Sequence, residues 1–185
     1  SRSTGDNQKW YLEPVDEANF YFRYMFANAN ENSYITLGSG YKMYRETLND
    51  WHYAIDITGK TSFIRGTPIF SPTSGTVIYS QHNPESGNYV VIETDKCVKG
   101  TGKKVILTFA HMIEKSPLEV GQRVLPKKFI GYVGSTGNSS GDHLHHAVFK
   151  SPPGSNTIYE SQINCINPQR FYPNVPFAGE TSTAP

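Results

Sequence analysis

Short runs of β-branched and aromatic residues, each followed by a turn, are the feature that most constrains the fold of this 185-residue chain. The clearest runs span residues 67–70, 75–79, 89–93 and 105–109. Glycine, proline, serine and asparagine separate them at the spacing typical of β-hairpins. Aromatic residues form 13% of the chain, which favours strands over long helices. The sequence therefore predicts an all-β core, built as an antiparallel sheet or sandwich.

The two ends of the chain differ from this pattern. Asp16 and Glu17 precede an aromatic run at 20–26, and acidic residues ahead of an apolar run are typical of a helix start. We predict a short helix that begins near Asp16, although the aromatic run would also suit a strand. After Pro173 the sequence becomes polar and rich in small residues, which predicts a flexible tail.

Charge and hydrophobicity argue against two classes of function. The net charge is only +1, which gives no electrostatic basis for binding nucleic acid. No run of about 18 apolar residues occurs, so no membrane-spanning segment is predicted. Cys97 and Cys165 lie outside any CxxC pattern and away from every histidine motif, so thiolate ligation of a metal is not expected. Whether the two cysteines form a disulfide stays open.

The residues best suited to chemistry form two motifs that lie far apart in the sequence. His143 and His145 are two residues apart, so on a strand their side chains project from the same face. His52 and Asp56 are four residues apart, but a straight strand would separate their Cα atoms by roughly 13 Å. That span is long for two ligands of one ion. We therefore predict that the backbone bends between Trp51 and Asp56, and that Asp56 enters a strand.

Together the two motifs can supply a metal-binding set. Two histidines and one carboxylate commonly hold a catalytic zinc ion and leave a fourth position open for water. Zinc makes its bound water a nucleophile at neutral pH, so such a set indicates hydrolysis. Each motif alone is weak evidence, because HxxxD and HxH also arise by chance at exposed or structurally hydrogen-bonded histidines.

The context of these motifs resembles the lysostaphin-like (LytM, M23) metallopeptidases. Three segments occur in the order seen in that family, namely 52–56 (HYAID), 109–112 (FAHM) and 141–145 (GDHLH). The stretches between them also resemble the family, at 66–77, 87–92, 120–124 and 130–141. The match runs from about residue 39 to residue 149. Two positions depart from the pattern: Ala54, where the family often has glycine, and His146, where an aromatic residue is common.

The resemblance implies a role for each motif residue. By position, His52, Asp56 and His145 would bind one Zn²⁺ ion, and His111 and His143 would be the catalytic pair beside its open position. A neutral imidazole can accept a proton from the attacking water, and a protonated one can stabilise the oxyanion or protonate the leaving amine. The sequence does not assign these roles between the two histidines, and we favour His143 as the general base.

The resemblance also implies a domain plan and an activity. It places a peptidase domain of the all-β lysostaphin type at 39–172, after a partly helical extension at 1–38 and before a flexible tail at 173–185. The implied activity is a zinc endopeptidase that hydrolyses peptide cross-links or stem peptides of bacterial peptidoglycan. Such an enzyme would act outside the cytoplasm, in the periplasm, in the cell envelope or as a secreted protein. The glycine-rich loop at 134–141 would border its substrate groove.

Two alternatives remain beside the endopeptidase. A zinc-binding but inactive or autoinhibited scaffold would regulate cell-wall remodelling without turnover, but such family members usually lose a motif residue, and here all are present. A carboxypeptidase on stem peptides would release free terminal amino acids. The sequence leaves open whether glycine bridges or D-amino-acid cross-links are cut, and it leaves the oligomeric state open.

Several polar residues have a plain structural interpretation. His111 sits among apolar residues, so without the motif a hydrogen-bonded core histidine would be expected. His82 is predicted to be exposed in a turn. His146 should face away from the zinc, with a substrate or supporting role less favoured. Asn88 can contact substrate or stabilise a turn, and we favour the turn.

Overall fold

The computed structural model describes residues 22–26, 33–35, 40–46, 48–59, 65–98, 100–155, 163–172 and 178–179. These residues form thirteen strands and one short 3₁₀ helix at Pro168–Phe171. The strands are β1 Ser33–Ile35, β2 Met43–Arg45, β3 Asp50–His52, β4 Ile55–Gly59, β5 Pro68–Phe70, β6 Gly75–Asn83, β7 Gly87–Val98, β8 Lys103–Met112, β9 Arg123–Val124, β10 Phe129–Tyr132, β11 Leu144–Ser151, β12 Cys165–Ile166 and β13 Ala178–Gly179. Among the described residues, no helix has the length and apolar character needed to span a membrane.

One large sheet carries most of the strands. Its order is β13-β1-β4-β11-β8-β7-β6-β9, and β12 also pairs with β11. Two small sheets, β5 with β10 and β2 with β3, lie beside it. Every pairing is antiparallel except that of β1 with β13. The predicted antiparallel all-β core is therefore confirmed.

The central strands are buried along most of their length. All eight residues of β8 from Val105 to Met112 are buried, which explains why this segment reads as a nearly continuous apolar run. Leu107 and Val148, which face each other across β8 and β11, are fully buried. Burying each such side chain stabilises the fold by about 1.5–3 kcal/mol. This core makes the middle of the sheet a rigid base for residues at the strand ends.

The backbone bends where the sequence predicts a bend. β3 ends at His52 and pairs with β2, whereas β4 begins at Ile55 and pairs with β1 and β11. The chain thus leaves one sheet and enters another within two residues. Asp56 lies in β4 and stands directly opposite His145 of β11. Both parts of the prediction, the bend and the placement of Asp56 in a strand, are confirmed.

The aromatic run near the N-terminus is not helical in its described part. Residues 22–26 have no helical hydrogen bonds; the amide of Phe22 donates to the carbonyl of Phe171 at 2.9 Å. The ring of Phe22 stacks on that of Phe171 with centroids 4.8 Å apart. Long-range aromatic packing therefore overrides the local helix signal here. The start of the predicted helix near Asp16 lies outside the described residues.

Two residues of the predicted tail lie in a strand. β13, at 178–179, pairs in parallel with β1, which belongs to the predicted N-terminal extension. The rest of the predicted tail lies outside the described residues, and the domain limits at 39–172 stay a prediction. No disulfide joins the two cysteines: Cys97 is exposed and Cys165 is buried.

His146 faces the opposite side of β11 from His145, as predicted, and is fully buried. Its Nδ1 lies 2.9 Å from the carbonyl of Thr108, so this nitrogen must carry the proton and donate it. Nε2 of the neutral ring then accepts from the Tyr172 hydroxyl at 2.9 Å. The ring also stacks on Phe109 with centroids 4.9 Å apart. His146 therefore fastens the C-terminal segment to the back of the sheet.

Replacing the Tyr172 hydroxyl tests this attachment. Tyr172→Phe should lower the free energy of unfolding by about 1–3 kcal/mol, because it removes the hydroxyl that hydrogen-bonds the buried Nε2 of His146. Tyr132→Phe is the matched control, since Tyr132 is 37% exposed and the change should stay within about 0.5 kcal/mol. Urea denaturation of both variants measures the difference. Equal stabilities would show that the buried hydroxyl contributes nothing.

Candidate metal centre

Three side chains meet at the junction of β3, β4 and β11. His52 Nε2 lies 3.2 Å from His145 Nδ1 and 3.3 Å from Asp56 Oδ1. His145 Nδ1 lies 3.0 Å from the same carboxylate oxygen. The three donor atoms thus form a nearly equilateral triangle. Within the described part of the chain, the three residues form a His/Asp group whose donor atoms lie close enough together to hold one metal ion.

The triangle has the dimensions that a zinc ion requires. Zinc bonds to imidazole nitrogen and carboxylate oxygen measure about 2.0–2.2 Å, so neighbouring ligand atoms of a tetrahedral site lie roughly 3.3–3.6 Å apart. The observed edges of 3.0, 3.2 and 3.3 Å are close to this range. Two nitrogens and one oxygen are also a typical donor set for catalytic zinc. In both donor chemistry and spacing, the residues fit the ion.

The orientation of His52 leaves the correct nitrogen available. Its Nδ1 lies 3.3 Å from the carbonyl of Gly40, which can only accept a hydrogen bond. In the neutral ring Nδ1 therefore carries the proton, and Nε2, which faces Asp56 and His145, is the nitrogen available to a metal ion; in the protonated ring Nε2 can instead donate to Asp56. A hydrogen bond from the second ring nitrogen to a backbone carbonyl is a common support of metal-binding histidines. His52 is 1% exposed, so this orientation is well protected from water.

The carboxylate of Asp56 is buried but ionised. Burial alone would raise the pKa of Asp56, but the charge of His52 and the hydrogen bonds from His145 and His52 outweigh it. The pKa of Asp56 is therefore held well below its usual range. A buried carboxylate surrounded by imidazole nitrogens is a ligand that is already deprotonated, as metal binding demands.

Two further histidines stand at the edge of the triangle. His143 Nε2 lies 3.6 Å from Asp56 Oδ1. The ring of His111 lies 4.7 Å from the ring of His143 and 5.8 Å from that of His145, measured between centroids. The structure therefore brings together all five residues that the sequence singled out. Their individual roles remain proposals.

Backbone carbonyls fix the tautomers of both outer histidines. The Nδ1 atom of His111 lies 2.8 Å from the carbonyl oxygen of Thr136, and that of His143 lies 2.8 Å from the carbonyl oxygen of Gly141. Each Nδ1 must donate, so each neutral ring has an unprotonated Nε2. Both rings are consequently prepared to accept a proton at Nε2.

The environment of His111 favours its neutral form. Burial, followed by the charges of His145 and His143, lowers the pKa of His111 from 6.5 to about 4. The hydrogen bond to Thr136 and the charge of Asp56 act in the other direction but are outweighed. At neutral pH the ring of His111 is uncharged. A buried imidazole with a strongly shifted pKa beside a metal-ligand set is typical of a functional site.

A groove of about 650 Å³ opens beside these histidines. Leu48 and Trp51 of the β2–β3 hairpin line one part of it, and Glu85 and Ser86 of the β6–β7 turn line another. Asn138 contributes from the loop at 134–141, which borders the groove as predicted. The groove gives an extended ligand access to the candidate metal centre.

His82 and Asn88 are polar residues for which the sequence favours a role outside the chemistry. His82 is exposed, as predicted, but it lies in strand β6 rather than in a turn. The side-chain amide of Asn88 donates to the carbonyls of Met112 and Ile113, at 3.2 Å each, which supports the structural interpretation over substrate contact. The supporting carbonyls of Gly40 and Thr136 were not identified from the sequence. Backbone acceptors leave no residue-type signal, so only the folded structure reveals them.

Comparison with known proteins assigns the chain to a family. Residues 50–159, more than half of the chain, match Peptidase family M23. The chain belongs to this family. The peptidoglycan DD-endopeptidase ShyA of Vibrio cholerae is 33% identical over 83 residues, which are 45% of this chain and 17% of ShyA. The chain matches less than a quarter of the length of its curated relatives.

Solved structures agree with this M23 assignment. A zinc-containing peptidase from Vibrio cholerae is 26% identical, with a TM-score of 0.52 over 70% of this chain and 37% of that one. LytU is 26% identical, with a TM-score of 0.58 over 82% of this chain and 92% of that one. The resemblance seen in the sequence and the lysostaphin-like all-β fold of this M23 chain are thus confirmed.

The buried His111 should make the metal-free M23 domain less stable in acid. Below about pH 6.5 the unfolded chain binds a proton at His111 that the folded chain refuses until about pH 4. Stability is therefore lost as the pH falls through this window, by on the order of 3 kcal/mol for this group. Urea denaturation of the metal-free protein across the window should show a shallower loss for His111→Gln.

His82→Gln is the control for this measurement, because His82 is an exposed histidine outside the centre. Its pH dependence should match that of the parent chain. If His111→Gln and His82→Gln lose the same stability between neutral and acidic pH, His111 is not the buried neutral group that the structure indicates.

Proposed function

We propose that this M23 chain is a zinc-dependent endopeptidase that hydrolyses peptide cross-links or stem peptides of bacterial peptidoglycan outside the cytoplasm. The observation that carries the proposal is the triangle of His52 Nε2, Asp56 Oδ1 and His145 Nδ1, with edges of 3.0–3.3 Å. The substrate class is supported by relatives such as ShyA, a peptidoglycan DD-endopeptidase. Action on the cell wall is also why an extracytoplasmic site is proposed.

In this proposal, His52, Asp56 and His145 hold the ion. Zinc, when bound, polarises the scissile carbonyl and lowers the pKa of a coordinated water. The three residues supply one negative charge and two neutral nitrogens, so the site would keep a net positive charge with Zn²⁺ bound. That charge would attract the electron-rich oxygen of a substrate carbonyl. The supporting bond from His52 Nδ1 to Gly40 keeps the ligand nitrogen unprotonated.

His143 and His111 handle protons in this proposal. We assign the general base to His143, because its unprotonated Nε2 lies 3.6 Å from Asp56 Oδ1, at the edge of the ligand set. His111 takes up a proton from solvent at Nε2 and then stabilises the oxyanion or protonates the leaving amine, and the proton that His143 accepts from the attacking water returns to solvent. Negative charge that develops on the substrate favours this protonated form and offsets the burial of the ring. In each step the proton is held at the Nε2 atom of a ring whose Nδ1 donates a hydrogen bond to a backbone carbonyl.

Alanine variants separate ligands from catalytic residues. His145→Ala should lose bound zinc, because it removes one of three protein ligands. His143→Ala should retain zinc but lose turnover by about a hundredfold or more, the usual contribution of a general base. Elemental analysis after dialysis measures the metal, and release of soluble fragments from peptidoglycan measures turnover. His82→Ala, at an exposed position, should change neither quantity. Full zinc content in His145→Ala would contradict the ligand assignment.

Digestion of purified peptidoglycans tests the proposed activity itself. Glycine-bridged and directly cross-linked material should be incubated with the zinc-loaded protein, and the fragments analysed by mass. Cleaved bridges or cross-links are the expected result for an endopeptidase. Free terminal amino acids would identify a carboxypeptidase instead. No product from either material, with zinc bound, would support the inactive scaffold and overturn the proposal.

A further inference from the structure

His111 has an unusual backbone conformation. Its φ angle is +62°, in the left-handed region that non-glycine residues adopt only at a cost in free energy. The residue lies at the end of β8, where its amide donates to the carbonyl of Ser86 at 2.9 Å. Surrounding contacts must therefore hold the backbone of His111 in place. Without them, the imidazole would not keep its direction.

Thr136 supplies several of these contacts. Its carbonyl accepts the Nδ1 proton of His111 at 2.8 Å, and its own amide donates to the His111 carbonyl at 3.4 Å. Its hydroxyl donates to the carbonyl of Met112 at 2.7 Å and accepts from the amide of Asn88 at 3.0 Å. One residue thus ties the glycine-rich loop to the end of β8 and to the start of β7.

The loop and the β6–β7 hairpin approach each other closely around Thr136. A Cβ atom at Gly87 would overlap the carbonyl of Thr136, and one at Gly137 would overlap the backbone nitrogen of Gly87. Both glycines also have positive φ angles, of 63° and 78°. The loop and the hairpin can approach this closely only because they lack these side-chain atoms. The hydroxyl bonds of Thr136 therefore act across a closely packed contact.

We propose that Thr136 is a positioning residue for His111. Its hydroxyl holds the loop against β7 and β8, so that its carbonyl keeps the proton of His111 on Nδ1 and leaves Nε2 unprotonated beside the candidate metal centre. The hydrogen bonds of Thr136 join it to Asn88, His111 and Met112, none of which is a candidate metal ligand. The inference rests on the proposed function, because the direction of His111 matters for catalysis only if the chain is a peptidase.

The experiment compares three variants of the zinc-loaded protein. Thr136→Val preserves the shape of the side chain but removes both hydroxyl bonds, and Thr136→Ser keeps the hydroxyl. Thr101→Val is the matched control. The Thr101 hydroxyl also donates to one backbone carbonyl, of Val98 at 2.8 Å, and accepts from one amide, of Lys103 at 3.1 Å. It lies at the opposite end of the β7–β8 pair, roughly 30 Å away.

Three quantities are measured for each variant: zinc content, kcat and KM on peptidoglycan, and the tautomer of His111. Long-range ¹H–¹⁵N spectra of the imidazole rings report the tautomer directly, since zinc is diamagnetic. Thr136→Val should keep its zinc and its KM, lose about tenfold to a hundredfold in kcat, and populate the Nε2-protonated tautomer of His111. Thr136→Ser should have the kcat and the His111 tautomer of the parent chain. Thr101→Val should resemble the parent chain in all three quantities.

Each other outcome has a defined meaning. If Thr136→Val keeps the parent kcat and the parent tautomer, the proposal is wrong. If it loses zinc as well, Thr136 supports the whole centre and the specific role for His111 is overturned. If the parent itself shows no turnover, the proposed function fails, but the tautomer spectra still decide whether Thr136 fixes His111. Thr136→Ala, which removes the same bonds without apolar bulk, replaces the valine variant if that variant does not fold.

Discussion

The register of β4 against β11 is the constraint on which the rest of the site depends. Asp56 stands opposite His145, and the pairs on either side join Ile57 to Leu144 and Ile55 to His146. Because side chains alternate along a strand, a slip of one residue would turn the Asp56 carboxylate to the other face of the sheet. Fully buried isoleucine and leucine side chains prevent such a slip, so core packing itself specifies the metal-ligand geometry.

The same register concentrates an electrostatic problem that a cation can solve. The Asp56 carboxylate is buried, and an ionised group in such a place needs partners that neutralise it. Imidazole nitrogens of three histidines face its Oδ1 atom, at 3.0 Å for His145, 3.3 Å for His52 and 3.6 Å for His143. Each nitrogen can be protonated and pair with the carboxylate, or be unprotonated and join it as a ligand of a divalent cation. In the proposed metal centre, binding of the cation would therefore release protons.

The sequence predicted those features that local spacing or family pattern determine. The bend needed between His52 and Asp56 follows from strand geometry and is confirmed. His143, predicted to share a strand face with His145, lies just before β11 at an isolated bridge, although its Nε2 still comes within 3.6 Å of Asp56 Oδ1. Features that depend on distant backbone could not be read in this way. The helix signal before Phe22 did not extend into 22–26, because those residues pack against Phe171, far along the chain. Likewise, no pattern in the sequence links His146 to its hydroxyl partner Tyr172.

The support of the ligand set and of the outer histidines comes from different parts of the fold. His52, Asp56 and His145 all lie within strands, whereas His111 and His143 both depend on carbonyls of the loop at 134–141. An isolated antiparallel β-bridge also joins His143 to Gly134, and the amide of His143 donates to the Gly134 carbonyl at 3.1 Å. In the proposed enzyme, substitutions in the loop would therefore alter proton transfer while leaving the three candidate ligands in place. Placing the candidate ligands on strands and the supports of the two outer histidines on a loop would let sequence changes in the loop tune the chemistry separately from metal binding.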